Sequence, residues 1–412
     1  MILRARFVVP VSKPPIDDGA VAMRGGRITS VGSWKHVRAE HSGEAFDLGD
    51  SVLLPGLINA HCHLDYTDMA GLLTPKRSFS DWIKAIVSLK GDWSYTDFAQ
   101  SWLNGARQLL RSGTTTVVDI EAVPELIPEL PQSTPLRVIS CLEMISLRRN
   151  ASAADLVRQN SDHLARWPNP VRGLSPHAPY TTSLELLWHA AENALANRWL
   201  LTAHVAESEE EFQMFTRSRG AMFRWLKTQR DMSDCVGRTP VQHMDHVGAL
   251  ASNVLAAHAN AVTDDDITLL ARRGAHVVHC PRSHDYFKHQ PFRFEDFQKA
   301  GVNICLGTDS MASTRKLRGE PLELNLFSEM RTFSKFHPDV SPDDVLRLVT
   351  INAARALGLS GEIGELAPGA RADIIAVLLD GISDPHEAVL AHKGVVTSII
   401  GGRWIWPPRD NG

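Results

Sequence analysis

Histidines at the ends of apolar runs are the residues whose spacing points to chemistry in this chain. His61 and His63 close the run LLPGLINAHCHLDY two positions apart. On an extended strand, residues i and i+2 share a face, so both imidazoles can reach one metal ion. His204 ends a second run, WLLTAHVAES, and Asp309 ends a third, ICLGTDS. Each has an ordinary alternative, a hydrogen-bonded core histidine or an aspartate N-cap. Three imidazoles and one carboxylate brought together suit a single divalent ion, zinc by default and iron(II) second. With one coordination position left open, such an ion lowers the pKa of bound water to about 7. Glu207, three residues after His204, is placed to carry protons beside the ion; otherwise it is a charge at a helix N-terminus. His258, ending VLAAHANAV, is placed to hydrogen-bond the attacking oxygen. His177, in GLSPHAPYTTS, is a candidate donor to a substrate. His279 carries less weight, and His243 and His246 in QHMDH read as a loop or helix surface.

These side chains need a frame that gathers distant strand ends. Eight near-continuous apolar runs, at 53–63, 114–120, 136–144, 171–178, 199–207, 254–262, 276–283 and 303–309, alternate with segments of helical period. Unbroken apolar runs are expected of strands buried on both faces of a parallel sheet. Amphipathic stretches at 95–112 and 183–197 lie between runs, the first with a Ser94/Thr96 start and Gly113 as its stop. Eight strand–helix repeats predict a closed (β/α)₈ barrel over 54–360, whose C-terminal rim is where such folds build active sites. An open eight-stranded sheet is the alternative, but no dinucleotide or P-loop glycine signature supports it. The ends read differently. Segments 20–33 and 371–405 are strand-like, with Gly25-Gly26 and Gly401-Gly402 at turns, and predict a small composite β-sandwich from 1–53 and 361–412.

Composition narrows the partners. A net charge of −4 gives no electrostatic footprint for nucleic acid, and no basic run suggests a membrane surface. The N-terminus, broken by Pro10, Pro14 and Pro15, lacks a signal-peptide core, and no window is apolar enough to span a bilayer. The five cysteines are scattered without a CxxC pair, which fits a reducing cytoplasm. A small-molecule substrate is expected. A homodimer, the commonest soluble assembly, is the candidate quaternary state.

Taken together, PGLINAHCH, SPHAPYTTS, AHVAES, AAHANAV, HCPRSH and LGTDS, in this order, resemble the strand-end motifs of the amidohydrolase superfamily. The likeness is strongest to its mononuclear deaminase branch, which acts on adenosine, S-adenosylhomocysteine, guanine and 6-aminodeoxyfutalosine. GGRITSVG and LAPGARADIIAV are similar to that family's composite sandwich, so the resemblance covers essentially the whole chain. It implies one metal held by His61, His63, His204 and Asp309. It also implies a hydroxide that attacks an amine-bearing carbon, oriented by His258 and Asp309, with Glu207 shuttling the proton and ammonia leaving. Binuclear relatives that open cyclic amides use a carboxylated lysine after the fourth strand, and residues 171–182 contain no lysine. Triazine hydrolases of the superfamily are the enzymatic alternative, several of them lacking the glutamate that Glu207 supplies. A non-catalytic metal-binding barrel is the other, and the intact ligand set speaks against it. The HLDYTDMAG continuation is similar to the aminodeoxyfutalosine group, which often has HLE. After CPRS this chain has His284 where the family has asparagine. Arg282, Ser283, His284, Tyr286 or Arg148 are therefore expected substrate contacts, with Phe287 or Trp82 stacking on a ring.

Overall fold

The computed structural model describes the chain except residues 75, 77, 148–151, 167–170, 317, 320 and 407–412. Arg148 thus lies outside the described residues.

Five strands precede the barrel: β1 (Ile2–Val8), β2 (Ile16–Arg24), β3 (Arg27–Ser33), β4 (Ala45–Asp47) and β5 (Ser51–Pro55). The barrel strands are β6 (Leu57–Cys62), β7 (Thr114–Glu121), β8 (Arg137–Met144), β9 (Gly173–Pro176), β10 (Leu200–Val205), β11 (Val254–His258), β12 (His276–His279) and β13 (Ile304–Leu306). Three more follow: β14 (Ile374–Leu378), β15 (Thr397–Ile400) and β16 (Arg403–Trp406).

Strands β6 to β13 pair in chain order, all parallel. The ring is drawn shut by a bridge between Cys62 and Asp309 and by the Asp309 N–H donating to the His61 carbonyl at 3.1 Å. Gly307 permits that closure, since a Cβ there would stand 2.7–2.9 Å from the backbone and Cβ of His61. The expected barrel is therefore present. Its helices start where the sequence signals them. Ser94 caps the helix Tyr95–Arg111 through a capping box with Asp97, and Ser183 caps Leu184–Asn197.

The run 53–63 is not one strand but two. β5 pairs antiparallel with β14 and parallel with β1, so it belongs to the terminal sheet; β6 alone enters the barrel. Both pieces are fully buried, so hydrophobicity does not mark the change of sheet. Gly56 does: a Cβ there would meet the Thr115 side chain at 2.2 Å.

Both termini contribute to a second sheet, ordered β16-β15-β14-β5-β1-β2-β3 with β4 beside β1. It folds over as a small β-sandwich around Leu3, Val21, Ile28, Leu53, Ile374 and Ile399. Its two glycine turns have positive φ at both residues, 59° and 78° at Gly25-Gly26 and 57° and 76° at Gly401-Gly402. That geometry matches the right-handed twist of a two-residue hairpin. Arg137 ties barrel to sandwich: its guanidinium donates to Asp373 Oδ2 at 2.6 Å and to Thr116 at 2.9 Å. Among the described residues, no helix is long and apolar enough to cross a membrane.

Candidate metal centre

The β6, β10 and β13 ends bring the four expected residues to one point. His61 and His204 lie on β6 and β10, while His63 and Asp309 stand just past β6 and β13. One ligand atom from each of His61, His63, His204 and Asp309 lies within 4.8 Å of all the others, and all four residues are buried. His204 Nδ1 is 2.8 Å from the His177 carbonyl, which only accepts, so Nδ1 carries the proton and Nε2 offers a lone pair. That Nε2 sits 3.3 Å from His63 Nε2. A shared proton or a shared cation would account for such an approach. Asp309 Oδ1, at 3.7 Å from Nε2 of both His61 and His63, favours the cation. The spacing suits two ligands of a tetrahedral ion with Zn–N of about 2.0–2.1 Å. Among the described residues, both nitrogens of His61 and Nδ1 of His63 lack a hydrogen-bond partner.

Electrostatics agree with neutral imidazoles around one anion. Burial, then the field of neighbouring rings, pushes His204 down to about 3 and His63 well below its ordinary value. Burial works against the charge of Asp309, yet contact with His61 and the field of His258 hold its carboxyl well below the usual range. Asp309 sits at φ 55°, a left-handed conformation seldom kept without reason in a non-glycine residue. Its Oδ2 accepts from Ser283 Oγ at 2.6 Å and from Ser313 Oγ at 3.0 Å, which leaves Oδ1 toward the imidazoles.

Glu207 follows β10 and His258 ends β11. Glu207 Oε1 lies 3.7 Å from His258 Nε2. Burial, reinforced by Asp309 and Glu211, lifts the Glu207 carboxyl well above its usual value. Glu207 and Trp82 line two cavities at once. One, of about 160 Å³, also touches His63, His177, His204 and Asp309. The other, of about 380 Å³, runs past Phe79, Tyr286 and Phe287. Burial holds the His177 imidazole down at about 3; its Nδ1 is 2.7 Å from Thr181 Oγ1 and its Nε2 4.0 Å from Glu143 Oε1.

Several expected contacts are placed otherwise. Arg282, Ser283 and His284 sit on the helix Pro281–Phe287 rather than on an extension of β12. Arg282 is buried, its guanidinium donating to the Glu323 carbonyl at 2.8 Å with Glu329 3.8 Å away. His284 Nε2 is spent on the Gln290 carbonyl at 2.8 Å. Neither lines either cavity. Ser283 reaches Asp309 instead of open space. His246 is exposed, as a surface reading requires, but His243 is fully buried against Phe215, because its helix turns that face inward.

Lys90, Glu143 and Tyr66, marked by none of the strand-end motifs, also line the smaller cavity. Lys90 Nζ donates to the Tyr66 hydroxyl and lies 3.9 Å from Glu143 Oε2; the Tyr66 ring stacks on His63 at 5.2 Å. A carboxylate, Glu143, inside the largely apolar strand VISCLEM is the available signal.

Residues 52–405 match the amidohydrolase family. The 5-methylthioadenosine/S-adenosylhomocysteine deaminase of Syntrophobacter fumaroxidans is 32% identical, over 88% of this chain and 80% of that one. An aminodeoxyfutalosine deaminase of Deinococcus radiodurans is 30% identical over 82% and 81%. A crystal structure of an adenosine deaminase from Xanthomonas campestris with bound zinc overlays with a TM-score of 0.85 at 24% identity, covering 99% of this chain and 93% of that one. Eight parallel strands, a sandwich made by both termini and a match along most of the length lead to one conclusion: this chain belongs to the amidohydrolase family.

Proposed function

We propose that the chain hydrolytically deaminates an amino-substituted nitrogen heterocycle of the adenine-nucleoside class, with 6-aminodeoxyfutalosine among the first candidates. The similarity to relatives named for 5-methylthioadenosine, S-adenosylhomocysteine and aminodeoxyfutalosine supports that class. The observation that carries the reading is the Glu207 carboxyl, buried and facing the same cavity as His63, His204 and Asp309.

His61, His63, His204 and Asp309 would hold one divalent ion, zinc in preference to iron; the unpartnered imidazole nitrogens and the 3.3 Å Nε2 pair fit it. When bound, the ion supplies Lewis acidity that makes water nucleophilic near neutral pH. The residues of the chain do the rest. Glu207 takes a proton from the attacking water and returns it to a ring nitrogen, so that the amine-bearing carbon accepts oxygen. The second proton of that water, taken up by the same carboxyl from the newly bound hydroxyl, passes to the amino group as the C–N bond breaks and ammonia leaves. General acid–base help of this kind contributes about 10²–10⁴-fold. His258 Nε2, beside Glu207, hydrogen-bonds the incoming oxygen. His177 and the aromatic face of Trp82 orient the ring. Catalysis is assigned to the barrel of 54–360, whose boundary with the 1–53 and 361–412 sandwich is moved to Gly56. The five free, buried cysteines support a cytoplasmic setting.

Ammonia release from amino-purines, their nucleosides, pterins and triazines tests the reading. Glu207→Gln should lose at least about 100-fold in kcat while keeping one equivalent of metal. Turnover within tenfold of wild type would remove Glu207 from its role.

A further inference from the structure

Val205, Ala206 and Glu207 leave β10 with three successive carbonyls. The Ala259 N–H donates to Val205 at 3.0 Å, and those of Asn260 and Ala261 donate to Ala206 at 2.9 and 2.8 Å. This stitching carries the β10–β11 pairing beyond both strand ends on left-handed backbone, with φ of 53° at Ala206, 75° at His258 and 47° at Ala259. At Glu207 the main-chain donors run out. There the Asn260 side chain takes over, its Nδ2 donating to the Glu207 carbonyl at 3.0 Å. On the other side, the Glu207 N–H donates to Glu211 Oε2 at 2.8 Å. Both peptide groups of Glu207 are held, and its carboxyl is left to the cavity.

Two features single out Asn260. Its amide orientation is fixed, because turning it over would set Oδ1 against the Glu207 carbonyl, acceptor against acceptor. Asn260 is only 6% exposed, and its Oδ1 has no partner among the described residues. A buried amide oxygen left unpaired is unfavourable for stability. The hydrogen bond to the Glu207 carbonyl is therefore kept at the expense of a buried, unpaired amide oxygen.

We infer that Asn260 is a positioning residue for the reaction, fixing the Glu207 backbone so that its carboxyl meets both the nucleophile and the ring nitrogen. The inference rests on Glu207 as proton carrier. A misplacement of about 1 Å at such a group can cost on the order of 10²-fold.

The test uses zinc-loaded enzyme and the fastest substrate among adenosine, 5′-deoxyadenosine, 5′-methylthioadenosine and S-adenosylhomocysteine. Asn260→Ala should lower kcat about 10–100-fold with KM within about threefold and zinc content unchanged. Asn260→Asp, of the same shape but without the N–H, should fall at least as far. In a Glu207→Gln background, Asn260→Ala should cost less than about twofold, because its effect runs through the missing carboxyl. Asn260→Ala within threefold of wild type, or an equal loss in both backgrounds, overturns the inference while leaving Glu207 in place. A Glu207→Gln enzyme within tenfold of wild type removes the proton-carrier reading and this inference with it.

Discussion

The ligand candidates were legible one residue at a time because their signal is local. An HxH at the end of an apolar run can be read without knowing any partner strand, as can a histidine or aspartate at such an end. Residues that work through contacts across the fold left no comparable mark. Ser283 looked like a substrate contact from its motif, yet its hydroxyl lies 2.6 Å from Asp309 Oδ2. Arg282, its neighbour, is turned inward by the helix, and nothing in CPRSH says which face that will be. The consequence for Ser283 is specific. Ser283→Ala leaves Oδ2 with Ser313 alone at 3.0 Å and frees the carboxylate to rotate away from the imidazoles. Losses of such supporting hydrogen bonds typically cost 10–100-fold in metal affinity. Zinc affinity measured by chelator competition should fall about tenfold or more, with the thermal midpoint of the metal-free protein little changed; an affinity within twofold of wild type would assign Ser283 elsewhere.

At the scale of elements, period and caps locate the helices well, because a serine accepting an N3 N–H is written in the sequence as clearly as it is built. Strand membership is harder. The run through Gly56 is apolar on both sides because each half is buried in a different sheet, and burial is all that composition records. Closure of the barrel is likewise a property of two distant strands. Gly307 has no left-handed φ to betray its need for glycine; its constraint comes from His61, whose backbone a Cβ would approach at 2.7 Å. That neighbour is main chain and cannot swing aside. Gly307→Ala should therefore push β13 from β6 and move both His61 and Asp309. A destabilisation of about 3 kcal/mol is expected from overpacking against fixed backbone, read as a lowered urea midpoint together with weakened zinc binding. A midpoint equal to wild type would mean the seam yields more readily than its geometry implies.

For the whole molecule, packing against the barrel decides which polar groups stay uncharged, and pH makes that visible. His243 lies far along the chain from the ligands, on the helix Pro240–His246 with both ring nitrogens without a hydrogen-bond partner among the described residues. Burial, with help from Arg230 and Arg238, pushes it down to about 3, although Asp234 stands 3.8 Å from Nε2. The unfolded chain takes up its proton near pH 6.5, so between about 3 and 6.5 the unfolded state binds more protons. Stability must then rise with pH across that window and fall on acidification. From pH 7 to pH 5 this one ring removes about 2 kcal/mol. Replacing it with leucine removes both the titration and a buried imidazole without partners, a change that can be neutral or stabilising at neutral pH. Urea denaturation of metal-free wild type and His243→Leu, run in parallel at pH 7, 6 and 5, isolates the difference from every other titrating group. The variant should match or exceed wild type at pH 7 and lose about 2 kcal/mol less by pH 5, whereas parallel curves would mean that His243 is protonated in the folded protein, paired with Asp234.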